Sequence, residues 1–352
     1  MKITQKFLLN AATCAVFGAS GAGVAQAAEL GGVEIHGYGN QNYLRSPSLP
    51  YKLSDGQRDS FDETTVALLF VAPLDEKSKV WTQIHMTQEK IRLDWAFVDY
   101  QLTGSLMGRL GRIKLPLGLY NEIIDAKFLQ LSTEAPFLYQ EAVGLTAEAY
   151  QGLGLVYDLR AAGGDMSLDF FLGQPSRDEE EPALTPKRLV GGRLTYKTPL
   201  PGLRVMASAY RSSVQDATDP LNPVPVSQRA WILSGEYKTE TIDLKSEYGA
   251  SKSGDAQRNA WYVQGGYNLS ESWQPFVRYD QLVTDKAQKS DPSYYQKSVV
   301  LGLNYKVSSS LSIRAENHFN RGYALPVASE NVAAGSGKTS WNFMTASVNF
   351  IF

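Results

Sequence analysis

Read for period two, most of the chain resolves into segments of roughly ten residues in which apolar and polar positions alternate, separated by short clusters of turn residues. Near the C-terminus Val299, Leu301, Leu303 and Tyr305 share one face, and Ser298, Gly302, Asn304 and Lys306 share the other. Met344, Ala346, Val348, Phe350 and Phe352 repeat the pattern, with a register shift expected near Phe343. Side chains of a strand point alternately to its two faces, so each segment predicts a strand with one oily and one wet side.

Strands are predicted at residues 33–44, 61–72, 79–89, 92–102, 105–114, 152–160, 164–174, 188–198, 203–213, 228–238, 242–251, 258–269, 273–283, 295–307, 311–321 and 340–352. That set has the even number on which an antiparallel barrel closes. Turns such as Pro199-Leu200-Pro201-Gly202 and Ser308-Ser309-Ser310 are short and the intervening connections longer, as at the two rims of a membrane barrel. The predicted fold class is therefore all-β: a sixteen-stranded antiparallel transmembrane β-barrel with a long third loop folded into the pore.

Aromatic residues recur near strand ends, among them Tyr38, Tyr43, Trp81, Tyr157, Tyr196, Tyr210, Trp231, Tyr237, Tyr267, Trp273, Tyr305 and Trp341. Their recurrence predicts girdles at two bilayer interfaces. A soluble β-sandwich also alternates, but sandwiches have far fewer strands, and this chain would need several domains joined by linkers that its sequence does not contain.

Ahead of the strands, Lys2 and Lys6 precede an apolar run from Phe7 to about Ala19, followed by Ala25-Gln26-Ala27. This is the pattern of a secretory signal peptide, so residues 1–27 are expected to be a leader and 28–352 the barrel. The apolar run is too short to span a bilayer as a helix. Its removal takes away Cys14, the one cysteine of the chain, and with it any disulfide framework. Cys14 also lies mid-run, which argues against a lipoprotein signal.

Composition agrees with a barrel. Hydrophobic residues make up 43 % of the chain, yet mean hydropathy is only −0.25, as expected where strands are apolar at alternate positions. The formal net charge of −2 gives no basic surface for nucleic acid.

The connection at about 115–151 breaks the pattern. Loops this long in a compact fold are usually functional or disordered, and Leu117, Leu119, Ile123, Ile124, Phe128, Leu129, Phe137 and Leu138 speak against disorder. Helical patches are expected at 121–131 and 146–150, with the loop turning inward to narrow the pore.

Just before it runs Gly108-Arg109-Leu110-Gly111-Arg112-Ile113-Lys114-Leu115-Pro116-Leu117-Gly118, preceded by Trp95-Ala96-Phe97-Val98-Asp99-Tyr100. This strand-then-loop signature resembles the outer-membrane porins of Gram-negative bacteria, most closely the phosphate-selective O and P type, over about residues 90–125. The resemblance implies a homotrimer in the outer membrane, in contact with lipid and lipopolysaccharide, with a terminal Phe352 read by the barrel-assembly machinery. It also implies passive passage of small hydrophilic solutes or ions, with no cofactor and no catalysis. A substrate-specific anion channel, and a non-conducting structural or enzymatic barrel, stay open as alternatives.

Charge at a pore wall decides which ions enter. The candidate lining residues are Arg109, Arg112 and Lys114, then Arg193, Arg278 and Arg314 on predicted wet faces, with Glu122, Asp125 and Lys127 from the loop. In a regular strand Arg109 and Arg112 face opposite sides. They share the lumen only if Gly111 bends the strand or pairing ends there; otherwise one sits at the outer face. The loop is acidic, with Glu122, Asp125, Glu134, Glu141 and Glu148 against Lys127. A basic wall facing an acidic loop predicts a transverse field and only weak selectivity. His36, His85 and His318 fall inside strands and in no hydrolase or metal-binding spacing. The acidic run at Arg177-Asp178-Glu179-Glu180-Glu181 reads as a solvated outer loop.

Overall fold

The computed structural model describes residues 28–49, 51–53, 57–140, 148–176, 184–216, 224–325 and 339–352. The expected leader, Glu141 and the acidic run 177–181 lie outside them.

Seventeen strands are present among these residues. A short β1 (Ala28–Leu30) is followed by β2 (Val33–Arg45), β3 (Asp59–Pro73), β4 (Ser78–Thr87), β5 (Ile91–Gln101) and β6 (Leu106–Lys114). Then come β7 (Ala149–Ala161), β8 (Gly164–Pro175), β9 (Leu184–Lys197), β10 (Leu203–Asp216), β11 (Val224–Lys238) and β12 (Ile242–Ser253). The chain ends with β13 (Ala256–Tyr267), β14 (Trp273–Val283), β15 (Tyr295–Lys306), β16 (Leu311–Gly322) and β17 (Ser340–Ile351). From β2 onward each strand pairs antiparallel with the next. β17 pairs with β2, so sixteen strands close on themselves.

The reason this sequence closes is visible on the outer wall. Leu110, Leu153, Leu155, Phe170, Leu172, Leu233, Val263 and Leu301 are all exposed, while the residues beside them in the same strands are buried or half-buried. That band has a favourable partner only in lipid, and closure leaves no unpaired edge within it. At the seam, Gly37 N–H donates to Phe352 O at 2.8 Å and Phe352 N–H to Gly37 O at 2.9 Å. The Phe352 ring lies where a side chain on residue 37 would go. β1 folds back on the start of β2, pairing Leu30 with Val33.

The strands match the alternation with ends within four residues. Several details differ. Two connections on the long-loop rim, 88–90 and 254–255, are as short as the turns of the opposite rim. β17 carries no register shift: Trp341 and Phe343 both point inward and Asn342 outward. The inward rings are accommodated because Tyr51, from the loop at 46–58, packs on them with centroids 5.3 and 5.1 Å away. Tyr38, Trp81 and Tyr210 are likewise buried and do not join a girdle. Among its described residues the loop after β6 has no helical patch of several turns, only single 3₁₀ turns at Asn121–Ile123, Lys127–Leu129 and Phe137–Tyr139; residues 146 and 147 of the second expected patch lie outside the described residues. Ala149 and Tyr150 belong to β7.

Candidate lumen and constriction

The loop at 115–148, here L3, leaves β6 and turns into the barrel, with Leu115 N–H bonded to Glu148 O at 3.0 Å. An irregular backbone inside a barrel must find partners for its polar groups. The wall supplies them. Gly118 N–H donates to Ser208 Oγ at 3.1 Å and Leu119 N–H to Glu247 Oε1 at 2.8 Å. Glu247 also accepts from Tyr139 Oη at 2.7 Å, Tyr262 Oη at 2.8 Å and Ser234 Oγ at 2.5 Å. Gly118 has φ +54°, and a Cβ there would meet the Tyr139 hydroxyl and the Glu247 carboxylate.

Across the lumen, Thr133 N–H donates to Glu316 Oε1 at 2.6 Å and Phe137 N–H to Asp280 Oδ1 at 3.2 Å. Arg278 Nη1 donates to Glu134 O at 2.8 Å, and Arg314 Nη2 to Gln130 O. Leu115, Leu117, Leu119, Tyr120, Leu138 and Tyr139 form one apolar cluster with wall residues including Trp95, Phe97, Ile232, Tyr262 and Leu282. The loop is thus pinned by wall carboxylates and guanidinium groups and buried by apolar contact.

L3 therefore fills the middle of the lumen. Arg278 is 1 % exposed, Asp280 0 % and Glu247 2 %, values incompatible with a wide aqueous passage at that height. From the long-loop rim, Lys52 Nζ reaches Glu134 Oε2 at 2.6 Å. Toward the short-turn rim the lumen widens into a cavity of about 550 Å³, floored by Phe128 and Gln130.

The candidate lining residues fall into three groups. Arg109, Lys114, Arg193 and Arg278 are lumenal and each is paired. Arg109 binds Asp99 in two-pronged fashion at 2.8 and 3.2 Å. Arg193 Nε sits 3.0 Å from Asp169 Oδ2, and its Nη1 contacts Glu122 of L3. Arg278 Nε is 2.8 Å from Asp280 Oδ2. Lys114 Nζ gathers Asp94 at 3.3 Å, Asp125 at 2.5 Å and Glu148. Those three carboxylates lie close enough together to hold a cation, and the ammonium takes that role.

Arg314 and Lys127 have no carboxylate within 4.0 Å among the described residues. Burial holds the Lys127 amine below its ordinary range, against the pull of Glu134. In Asp125, burial alone would raise the carboxyl, but Lys114 and His85 outweigh it and hold it well below the usual range.

Arg112 is not brought into the lumen cluster. The ladder runs unbroken through Gly111, placing Arg112 opposite Ala96 and the exposed Gln151, in the row of exposed Leu110. Gly111 takes up a positive φ of 141°, and the Arg112 Nε donates to Asp94 O at 2.7 Å; pairing with β5 ends at Arg112, and only beyond it does Lys114 reach the lumenal carboxylates.

The expected transverse field is not what forms. Arg193 and Lys114 touch the loop acids Glu122, Asp125 and Glu148 directly, while Arg109 and Arg278 are paired with wall carboxylates. Partners that sequence reasoning missed are Asp99, Asp169, Glu247, Asp280, Glu316 and Lys52. Asp280 stands two residues after Arg278 and Glu316 two after Arg314, so period two already placed each pair on one face. Of the histidines, His318 Nε2 lies 3.4 Å from Glu316, His85 Nδ1 4.0 Å from Asp125 and His36 Nε2 3.6 Å from Glu34.

No family model and no curated protein sequence matches the chain. Solved structures do. An anion-selective porin from Comamonas acidovorans superposes with a TM-score of 0.63 at 13 % identity, covering 91 % of this chain and 99 % of that one. OmpT, an outer-membrane protein of Vibrio cholerae, gives 0.61 at 10 % identity over 93 % and 100 % of the two chains. The outer-membrane channel DcaP of Acinetobacter baumannii gives 0.59 at 11 % identity over 94 % and 100 %. None of the three sets the phosphate-selective type apart. With its sixteen closed strands and inward L3, the chain has the fold of the outer-membrane porins.

Proposed function

We propose that the protein is an outer-membrane channel of a Gram-negative bacterium, passing small hydrophilic solutes or ions down their gradients with general or weak selectivity. The observation that carries this reading is the sorting of the two faces. Apolar side chains meet lipid on the outside, and the inside is lined with bases and acids that neutralise one another. Paired charges wet a passage without giving it a strong sign, which argues against a dedicated phosphate path. In the conformation described L3 fills the mid-lumen, so flow requires L3 to leave part of its wall contacts. Residues 1–27 act as the leader in this reading, and the barrel assembles as a homotrimer in contact with lipid and lipopolysaccharide.

A hydrolytic barrel is disfavoured by chemistry. Ser132 Oγ and His318 Nε2 both approach Glu316 Oε2. The serine donates to the carboxylate, and the imidazole is not its base. Purified protein in planar bilayers should raise conductance in discrete steps, with reversal potentials near zero in a salt gradient. Product release from lipid without conductance would instead favour an enzyme. Intact-mass analysis of the isolated protein tests the start at Ala28, and light scattering in detergent the trimer.

A further inference from the structure

The cavity at the short-turn rim differs in chemistry from the packed lumen above it. Its inner wall is Gln274, Asn304, Ser312, Arg314 and Asn349, its floor Phe128 and Gln130 of L3, and its rim the turns around Glu240, Ser270–Ser272 and Ser308–Ser310. At about 550 Å³ it falls within the roughly 300–1,000 Å³ typical of small-molecule sites.

Three nearly buried side chains of this wall and floor carry polar atoms with no protein partner: Arg314 Nη1, Asn349 Oδ1 and Gln130 Oε1. Arg314 is 3 % exposed, Asn349 1 % and Gln130 3 %. The rest of the guanidinium is committed. Its Nε donates to Asn304 Oδ1, and its Nη2 to the carbonyl oxygens of Gln130 and Lys127. Unlike the other lumenal arginines of the candidate set, Arg314 has no carboxylate within 4.0 Å among the described residues.

Glu316, two residues on, acts on Arg314 only from beyond contact distance, so the buried guanidinium keeps room for a directly bound carboxylate, which it matches in geometry and charge. Two unfilled acceptors beside it match hydroxyl donors. The remaining lining mixes hydroxyls and amides with the apolar Trp273, Leu311, Phe350 and Ile351, and at the rim Glu240 and Glu271 outnumber the one base, Lys306, which disfavours solutes with several negative charges. We propose that this cavity is a binding site for an acidic sugar, a solute with one carboxylate and several hydroxyls, held by Arg314, Asn349 and Gln130. The inference deepens the channel reading by naming a solute class, and rests on it only for the route onward past L3.

Calorimetric titration of the full-length mature protein in detergent tests it, with gluconate, glucose and inorganic phosphate as probes. Gluconate should bind at least tenfold more tightly than glucose or phosphate. R314Q should lose that advantage over glucose. N349L and Q130L should weaken gluconate and glucose alike. If R314Q fails to form a heat-stable barrel, the latter two variants carry the test. No gluconate binding, equal binding of gluconate and glucose, tighter binding of phosphate, or variants with unaltered affinity each overturn the proposal. Conductance measured in potassium chloride alone reports separately on the channel. Stepwise conductance without gluconate binding removes only the acidic-sugar site, and gluconate binding without conductance removes only the channel.

Discussion

The ammonium of Lys52, from the loop at 46–58, lies 2.6 Å from the Glu134 carboxylate of L3, and so ties a surface loop to the segment that fills the lumen. Lys52 itself sits at φ +56°, a backbone conformation uncommon for a side-chain-bearing residue.

That tie predicts a pH response. Burial alone would raise the Glu134 carboxyl, but Lys52 and Lys127 outweigh it and hold it below its ordinary range. Burial alone would lower the Lys52 amine, but Glu134 and Glu63 outweigh it and hold it above its ordinary range. A depressed carboxyl contributes stability above its unfolded pKa and loses it as pH falls through the folded value. A raised amine contributes below its unfolded pKa and loses it as pH rises through the folded value. Conductance should therefore stay flat between about pH 5 and about pH 9 and rise below about pH 4. K52M should conduct more at neutral pH and respond less to acid. A native profile unchanged down to about pH 3 would show that the tie does not hold L3.

Glu247 is the second hold on L3, with four donors converging on one buried carboxylate. Replacing it by Leu strands the Tyr139, Tyr262 and Ser234 hydroxyl donors, at about 1–3 kcal/mol for each buried group left unpaired, while Leu119 N–H keeps Tyr139 Oη as an acceptor at 2.9 Å. Single-channel recordings of E247L should show larger or more frequent openings from a barrel that still resists heat in detergent. Gly118→Val acts at the same place by collision, since its Cβ meets Tyr139 and Glu247. Native conductance in both variants would remove Glu247 as an anchor.

How much of this was legible beforehand follows from range. Strand positions depend on period two within ten residues, so all sixteen barrel strands could be read, along with Arg193, Arg278 and Arg314 on inward faces. L3 could be read as inward because its leucines need burial. Its anchors could not, because Glu247 and Glu316 lie more than a hundred residues from the loop atoms they hold. Tyr38 and Trp81 misled for a related reason: an aromatic near a strand end suits an interface and a packed lumen equally well, and only the third loop's course decides between them.

Arg193 and Arg112 separate a lumenal charge from an outer one. R193A leaves Asp169 and Glu122 facing each other without their shared cation. Breaking a buried pair this way costs about 3–5 kcal/mol, and the lumen gains negative charge. Reversal potentials should shift toward cation preference, with lower thermal stability. R112A changes a side chain in the lipid-facing row, so selectivity should stay native. A selectivity shift of equal size in both variants would contradict their assignment to opposite faces.

The seam at Gly37 and Phe352 should govern whether the barrel closes. Both backbone bonds there hold the last residue of the chain to β2, and the Phe352 ring covers Gly37 from the outside. The ring also stacks near Phe350, with centroids 6.3 Å apart. A bulky residue at position 37 must push this ring away, while loss of the ring uncovers the glycine and leaves the two bonds at the membrane interface less protected. G37L and F352A should both refold more slowly from urea into detergent, with a smaller heat-modifiable fraction on gels. Paired with F352A, G37L should recover part of the loss, because the new side chain fills the place the ring has left. A double variant worse than either single one would mean that the contact between ring and glycine is not what limits closure.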